Sequence, residues 1–305
     1  MSKVSYIDNN FILVDCCIKK DYSALADQII MQKKERTYII ENDILVAGYD
    51  INYNMPLSKL YGSSFYVVRF VFANIDTLHK KTQEELLLKL FLNLKEKIEC
   101  EKGYYNLRLP SHIVDVIKAY NHIFNKGIFC GGTVEEYIHG KNVVNSVPDG
   151  MKIFLATPEY IKEHKKQLLD MTYKSFESYQ GQYHISQVTE ALAGKIYENW
   201  IEDSLNIQGG NAVVISEIYG VPAGFVTITE KDNAVEGVLS AVNGSYRKAG
   251  AYRAMISYII NYVQKHGKSF ITSTQFDNFI VQGVWASLGL TPFYSLYNFH
   301  IDMRN

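Results

Sequence analysis

The chain has 305 residues, 47% of them hydrophobic and 21% charged, and its 31 basic and 32 acidic residues give a net charge of −1. This composition indicates a globular protein with a full apolar core and enough length for two domains. The charge balance argues against a nucleic-acid-binding protein, which carries a broad basic face. The longest apolar runs, at 11–14 and 65–73, are too short to span a bilayer, so we expect no membrane partner.

The first half alternates strand-like and helix-like segments, which predicts an α/β domain. Segments rich in β-branched and aromatic residues predict strands at 38–50, 65–73, 104–110 and 127–138. A helix is predicted at 82–99, where Thr82 and Glu85 form a capping box. A second helix is predicted to begin after Ser111 and to end before Gly127.

The four cysteines are Cys16, Cys17, Cys100 and Cys130, and none of them forms a C-x-x-C pair. The first residues also lack the basic segment and apolar run of a secretory signal. Both features favour reduced, buried thiols over disulfides, so we expect a cytoplasmic protein without a metal ion.

A turn at Pro148, Asp149 and Gly150 separates the two halves of the sequence. Strand character resumes immediately afterwards, at Met151. We therefore predict an N-terminal α/β domain at 1–148 and a C-terminal domain at 149–305.

Predicted strands and helices alternate more regularly in the second half of the sequence than in the first. Three predicted strands between 212 and 242 are joined by short turns, which favours antiparallel hairpins. The predicted strands are 151–156, 212–218, 224–230, 235–242, 269–275 and 294–301, and the predicted helices are 157–176, 187–204, 250–266 and 278–288.

A basic turn with a glycine joins the strand at 235–242 to the following helix. Arg247, Lys248 and Arg253 surround Gly250, which allows close approach to the backbone. The first amides of a helix lack internal partners and lie at the positive end of the helix dipole, so they bind phosphate groups. The turn therefore predicts a pyrophosphate site, although many structural strand-to-helix turns with a glycine share this pattern.

The basic turn and the next strand–helix unit resemble the GNAT acyltransferase superfamily. Its R/Q-x-x-G-x-G/A pattern corresponds to 247–252, with Tyr252 at a position that is usually small. Its N-x-x-A-x-x-x-Y-x-x-x-G-F pattern corresponds to 278–290, with Trp285 in place of the tyrosine. The resemblance implies an α/β (α+β) fold with a mixed, largely antiparallel sheet flanked by helices, preceded by a smaller domain that resembles a degenerate GNAT-like half.

Three segments narrow this resemblance to N-acyltransferases of nucleotide-linked amino sugars, such as dTDP-fucosamine acetyltransferase. They are QYHISQ at 182–187, IYENWIEDSL at 196–205 and NFHI at 298–301. The resemblance covers about 150–303 well and the first half only loosely. It implies N-acylation of a dTDP-linked amino-deoxysugar in surface polysaccharide synthesis.

The resemblance also implies roles for individual residues. The acyl-CoA co-substrate would contact Ala241, Val242, Arg247, Lys248, Ala249, Gly250, Ala251, Tyr252, Arg253 and Asn278. The Val242 amide would stabilise the thioester oxygen, His184 or His300 would act as base, and Trp285 would either donate a hydrogen bond to the leaving thiolate or only pack. The amino sugar would contact Tyr179, Tyr183, Tyr197, Trp200 and Tyr246, all of which are equally typical of a core or surface.

Two alternatives to this function stay open on the sequence. One is acylation of another amine, such as a peptide terminus, a polyamine or an aminoglycoside. The other is a non-catalytic protein that binds CoA or a nucleotide sugar, which the tyrosine at 252 and the tryptophan at 285 would suit. Neither the acyl chain nor the oligomeric state is specified, and a homodimer is one of the states left open.

Overall fold

A computed structural model of the chain describes residues 4–7, 37–41, 44–73, 78–125, 127–144, 147–177, 179, 181–187, 189–207, 209–231 and 233–304. The chain divides into two compact units. The first comprises 1–133 together with 295–305, and the second comprises 134–294. The predicted boundary at 148 and 149 differs from this division, because the strand at 128–138 enters the second unit and the end of the last strand belongs to the first.

The first unit contains strands paired with helices packed against them. Its elements are β1 (Val4–Ile7), β2 (Thr37–Glu41), β3 (Ile44–Tyr53), α1 (Met55–Tyr61), β4 (Phe65–Ala73), α2 (Lys80–Cys100), β5 (Tyr104–Pro110), α3 (Val114–Ile123) and the beginning of β6 (Ile128–Ile138). Strands β1, β3 and β4 pair antiparallel, and the end of β12 (Thr291–Asp302) pairs antiparallel with β5.

One parallel pair stands out in this first unit. Strands β4 and β5 are joined through α2 and pair in parallel from Phe65 opposite Tyr104 to Val68 opposite Leu107. Both strands continue beyond this pairing, β4 to Ala73 and β5 to Pro110. The unit is therefore built around β4. This strand pairs antiparallel with β3 and, after the crossover through α2, parallel with β5 over a short stretch.

The second unit repeats this arrangement with more strands. Its elements are β7 (Met151–Leu155), α4 (Pro158–Phe176), α5 (Gln182–Ile185), a 3₁₀ turn (Glu190–Leu192), α6 (Ala193–Ser204), β8 (Asn211–Ile218), β9 (Val221–Glu230), β10 (Ala234–Val242), α7 (Ala251–Lys265), β11 (Ser269–Gln275) and α8 (Phe279–Leu288). Strands β7, β8, β9 and β10 pair antiparallel in chain order, and β11 pairs parallel to β10.

Two apolar clusters cover opposite faces of this sheet. One lies under α7 and α8 and includes Met255, Ile259, Trp285 and Leu288. The other lies under α4 and α6 and includes Leu168 together with residues of β10. Because successive strand residues point to opposite faces, Leu239 and Ala241 of β10 join the second cluster, whereas Val242 packs against the first.

Several predicted element ends are confirmed and others are wrong. Thr157 caps α4 and Asn278 caps α8, as predicted. The capping box at Thr82 is wrong, because α2 begins at Lys80 and has no side-chain cap. The cap at Ser111 is also wrong, because α3 begins at Val114. No helix in the described part of the chain is long and apolar enough to cross a membrane, and Cys16 and Cys17 lie outside the described residues.

Candidate acyl-CoA site

A gap opens between the parallel strands β10 and β11. Their pairing ends at Gly237 opposite Thr272. Strand β10 continues to Val242 and β11 to Gln275 without further pairing between them. The last residues of β10 therefore present one edge that no strand in the described part of the chain occupies.

The amide directions along β10 identify the donors on this edge. The Leu239 amide donates to Thr227 Oγ1 of β9 at 3.1 Å, and the Asn243 amide donates to the Ala223 carbonyl of β9 at 2.9 Å. Amides alternate in direction along an antiparallel strand. The amides of Ser240 and Val242 therefore point away from β9, into the gap, while the backbone of Ala241 faces β9.

This geometry agrees with the predicted role of Val242 as an amide donor. The Ala241 amide points toward β9, whereas the Ser240 amide lies on the gap side of the strand. Ser240 is missing from the sequence-predicted site, and the alternation of amides along β10 is the signal that identifies it.

The turn after β10 has the backbone shape of an anion site. Lys248 has φ of +67° and Gly250 has φ of +82°, and 247–250 are exposed. Backbone turns into the left-handed region, followed by a helix, direct successive amides toward one point. Among the described residues, a Cβ atom placed on Gly250 would come within 4 Å of Pro148 Cγ alone, at 3.3 Å. The exposed backbone of 247–250 thus leaves room for a pyrophosphate group.

The other residues predicted to contact CoA near this turn differ in their hydrogen bonds and in their exposure. The Ala249 amide donates to the Tyr246 carbonyl at 3.2 Å, and Ala251 is buried against Met151. Arg253 donates to Ser287 Oγ, which holds its guanidinium beside α8. Arg247 and Lys248 are exposed and remain the basic side chains of the turn. Asn278 accepts from the Val281 amide and donates to Thr274 Oγ1, so it supports the start of α8.

Trp285 packs in the core rather than facing the gap with a free N–H group. It is 1% exposed, and its Nε1 donates to the hydroxyl of Tyr252 at 2.9 Å. Burial raises the pKa of Tyr252, and hydrogen bonds from Trp285 and Ser240 partly oppose that rise. Of the two predicted roles for Trp285, this hydrogen bond favours packing, because the indole has a single donor. Tyr252 stands at a position that is usually small in the GNAT pattern, and its hydroxyl is the acceptor of this hydrogen bond.

Four of the five predicted sugar contacts come together around one ring. Tyr179, Tyr183 and Trp200 have ring centroids 6.1, 5.9 and 6.2 Å from that of Tyr197. His184 stacks on the same ring at 6.4 Å with an interplanar angle of 18°. We call these five residues the aromatic cluster. Tyr246 lies apart from it, in the 3₁₀ turn at Gly244–Tyr246.

The aromatic cluster borders the gap on the face covered by α4 and α6. Its central ring, Tyr197, belongs to the same apolar cluster as Leu239 and Ala241 of β10. Across the gap, the Tyr179 hydroxyl interacts with the side chains of Thr274 and Asn278, at the end of β11 and the start of α8. Burial nevertheless raises the pKa of Tyr179 above its ordinary value.

The two candidate bases have different surroundings. Both ring nitrogens of His184 are buried and have no hydrogen-bond partner among the described residues. His300 lies in the first unit on β12, opposite Asn106 of β5, with its Nδ1 2.5 Å from the Tyr104 hydroxyl. Burial lowers the pKa of His300 to about 3. An imidazole that is so hard to protonate is a poor base.

Solved structures share this architecture at low sequence identity. The GCN5-related N-acetyltransferase from Sphaerobacter thermophilus matches with a TM-score of 0.63 and 10% identity, over 100% of this chain and 96% of that one. A tandem GNAT protein from the clavulanic acid biosynthesis pathway matches with a TM-score of 0.52 and 10% identity, over 88% of this chain and 82% of that one.

A GCN5-related N-acetyltransferase from Kribbella flavida is a further structural match, with a TM-score of 0.51 and 10% identity over 91% of this chain and 94% of that one. No protein-family profile and no curated sequence matches the chain. The chain therefore has the GNAT fold, and the tandem match agrees with the predicted N-terminal GNAT-like half.

Proposed function

We propose that the protein transfers an acyl group from acyl-CoA to a primary amine. The observation that carries this proposal is the combination of an unpaired β10 edge with an accessible, glycine-containing turn at the next helix. The amides around Gly250 would hold the pyrophosphate, and the edge at Ser240 and Val242 would pair with the pantetheine arm. Both sites lie on consecutive segments of one chain.

The chain's own groups would orient and polarise the thioester. The Val242 amide, fixed in the sheet, donates toward the carbonyl oxygen, on which negative charge develops during attack. The attacking amine must be neutral, so a base has to remove its proton. Both ring nitrogens of His184 lack a partner among the described residues and its ring stacks on Tyr197, so His184 is our candidate for this base.

We further propose that the acceptor is an amino sugar carried on a nucleotide. The aromatic cluster supports this class, because tyrosine and tryptophan rings stack on sugar faces and on bases while their polar ends form hydrogen bonds. Trp200 is 40% exposed and offers an accessible ring at the border of the cluster. The broader proposal, acylation of an amine, does not depend on this choice of acceptor.

Mass spectrometry of reaction mixtures tests both levels of this proposal. Purified protein is incubated with acetyl-CoA or propionyl-CoA and with a panel of dTDP-linked amino sugars, a polyamine, an aminoglycoside and a peptide. An acylated amino sugar supports the full proposal, and acylation of another amine supports only the transfer reaction. Calorimetric binding of CoA with no product from any acceptor would favour a non-catalytic binding protein instead.

Replacing His184 with glutamine is expected to lower kcat/KM by roughly tenfold to a thousandfold, because the amine would lose its proton acceptor. Affinity for CoA, measured by calorimetry, is expected to stay unchanged, since His184 lies away from the turn at Gly250. His266→Gln is the matched control, because His266 is exposed at the end of α7. Equal activity of the two variants would exclude His184 as the base.

A further inference from the structure

The described residues offer the imidazole of His184 ring contacts but no hydrogen bonds. Both of its ring nitrogens are buried and have no hydrogen-bond partner in the described part of the chain. A base in an enzyme is commonly oriented by a further group that bonds to it. Because no described residue fills that role for His184, the orientation of its ring depends on packing and on the backbone of α5.

One buried ring provides the packing surface for this imidazole. Tyr197 is 5% exposed, and its ring stacks on that of His184 with centroids 6.4 Å apart and an interplanar angle of 18°. Phe176 lies nearly parallel to the same ring, with centroids 4.2 Å apart and an angle of 14°. Tyr197 is therefore fixed by its own packing and can serve as a support for His184.

Gly181 brings the backbone at the start of α5 close to this support. A Cβ atom added at 181 would lie 2.7 Å from Tyr179 Cε1 and 2.8 Å from the hydroxyl oxygen of Tyr197. Non-bonded carbon atoms prefer separations of about 3.5–4.0 Å. Gly181 has φ of −83° and ψ of 176°, an extended conformation that any residue adopts. The glycine is therefore required by the lack of space and not by its backbone conformation.

Backbone hydrogen bonds connect Gly181 to His184. The His184 amide donates to the Gly181 carbonyl at 2.9 Å, and the Gly181 amide donates to the Tyr179 carbonyl at 2.9 Å. At the other end of the segment, the hydroxyl of the buried Thr189 donates to the Tyr183 carbonyl at 2.7 Å. A displacement of Gly181 would thus move His184 as well, because a single turn joins the two residues.

We infer that Gly181 and Tyr197 position the imidazole of His184, so that a ring nitrogen can take the proton of the attacking amine. This inference rests on the proposed function, in which His184 is the base. Gly181 acts through the absence of a side chain and Tyr197 through its ring, so both are positioning residues. Trp200, which is 40% exposed, stays available to the acceptor. The sequence analysis missed Gly181, because an isolated glycine in a polar segment is typical of a loop.

Gly181→Ala is expected to lower kcat/KM by about tenfold or more, because misplacing a reacting group by about 1 Å can cost about a hundredfold in rate. In a His184→Gln background the same substitution should cause no further loss, since the residue through which Gly181 acts is then absent. Affinity for CoA, measured by calorimetry, is expected to stay unchanged in both backgrounds.

Two further variants separate positioning from stability. Gly103→Ala is the matched control, because a Cβ atom there would lie 2.7 Å from Tyr66 Cε2, yet Gly103 belongs to the first unit. It should lower the melting temperature about as much as Gly181→Ala does and leave kcat/KM at the wild-type value. Thr189→Val removes the hydrogen bond to the Tyr183 carbonyl while keeping the shape of the side chain, and it tests the same segment should Gly181→Ala fail to fold. We expect it to lower kcat/KM as well.

Nuclear magnetic resonance follows the position of the imidazole without any substrate. Protein with labelled histidine gives ring resonances from eight histidines, and the one that is missing in His184→Gln identifies His184. The ring current of Tyr197 acts on this resonance, so its chemical shift depends on the stacking of the two rings. Gly181→Ala should shift the His184 resonance, whereas Gly103→Ala should leave it in place.

The resonance and the kinetics distinguish failure of this inference from failure of the proposed function. A wild-type protein that yields no acylated product overturns the proposed function, and a shifted His184 resonance in Gly181→Ala would still support the positioning of the imidazole. An unshifted resonance overturns the inference, even if the wild-type protein yields product. A further loss of kcat/KM from Gly181→Ala in the His184→Gln background also overturns it, because Gly181 would then act through another group.

Discussion

Replacing Gly250 with alanine should lower the affinity for CoA by about tenfold or more. Gly250 has φ of +82°, a conformation that costs an L-residue about 1–2 kcal/mol, so alanine would pull the turn toward another shape. The amides of the turn would then no longer converge on the pyrophosphate. Losing one hydrogen bond to a charged group costs about 1.5–3 kcal/mol, which is roughly a tenfold to hundredfold loss of affinity. Isothermal titration calorimetry with CoA measures the effect.

Gly267→Ala is the control that separates binding from strain. Gly267 follows α7, has φ of +66° and has no atom within 4 Å of an added Cβ. Its replacement should destabilise the protein about as much as Gly250→Ala while leaving the affinity for CoA unchanged. Equal affinity of the two variants would show that the turn at Gly250 does not bind the pyrophosphate.

Trp285→Ala should destabilise the protein by about 3–5 kcal/mol, because it leaves a large cavity in the apolar cluster under α7 and α8. It also removes the hydrogen bond from the indole to the hydroxyl of Tyr252. The chain contains two tryptophans, and Trp200, at 40% exposure, provides the comparison. Trp200→Ala should cost about 1 kcal/mol or less.

Urea denaturation followed by circular dichroism measures both stabilities without depending on tryptophan fluorescence. Similar midpoints for the two variants would show that Trp285 contributes no more to the core than Trp200 does. A large loss of stability for Trp285→Ala alone would confirm that its principal role is packing.

The local elements of the second unit follow from short-range signals. Thr157 and Pro158 define the start of α4, and Asn278 defines the start of α8, because a cap and the helix it begins are adjacent in sequence. Caps in the first unit were less predictable. Thr82 has the right neighbours for a capping box, yet α2 begins two residues earlier, so packing of its apolar face overrides the local preference.

The contacts of the site between residues far apart in the chain could not be predicted from the sequence. The aromatic cluster was predicted from residues within 179–200, which are close in the chain. By contrast, the hydrogen bond between Tyr252 and Trp285 joins residues 33 apart. His300 was predicted beside the site, but its strand ends in the first unit, where burial keeps the imidazole neutral.

The short parallel pairing found in both units raises the question of how many CoA molecules one polypeptide binds. In the second unit the residues between β10 and α7 include Gly250 and two basic residues, Arg247 and Lys248, whereas in the first unit 74–79, between β4 and α2, contain no glycine, lysine or arginine. The basic, glycine-containing turn that we propose as the phosphate site therefore follows β10 but has no counterpart in the sequence that follows β4. We therefore expect each polypeptide to bind one CoA molecule, at the turn around Gly250.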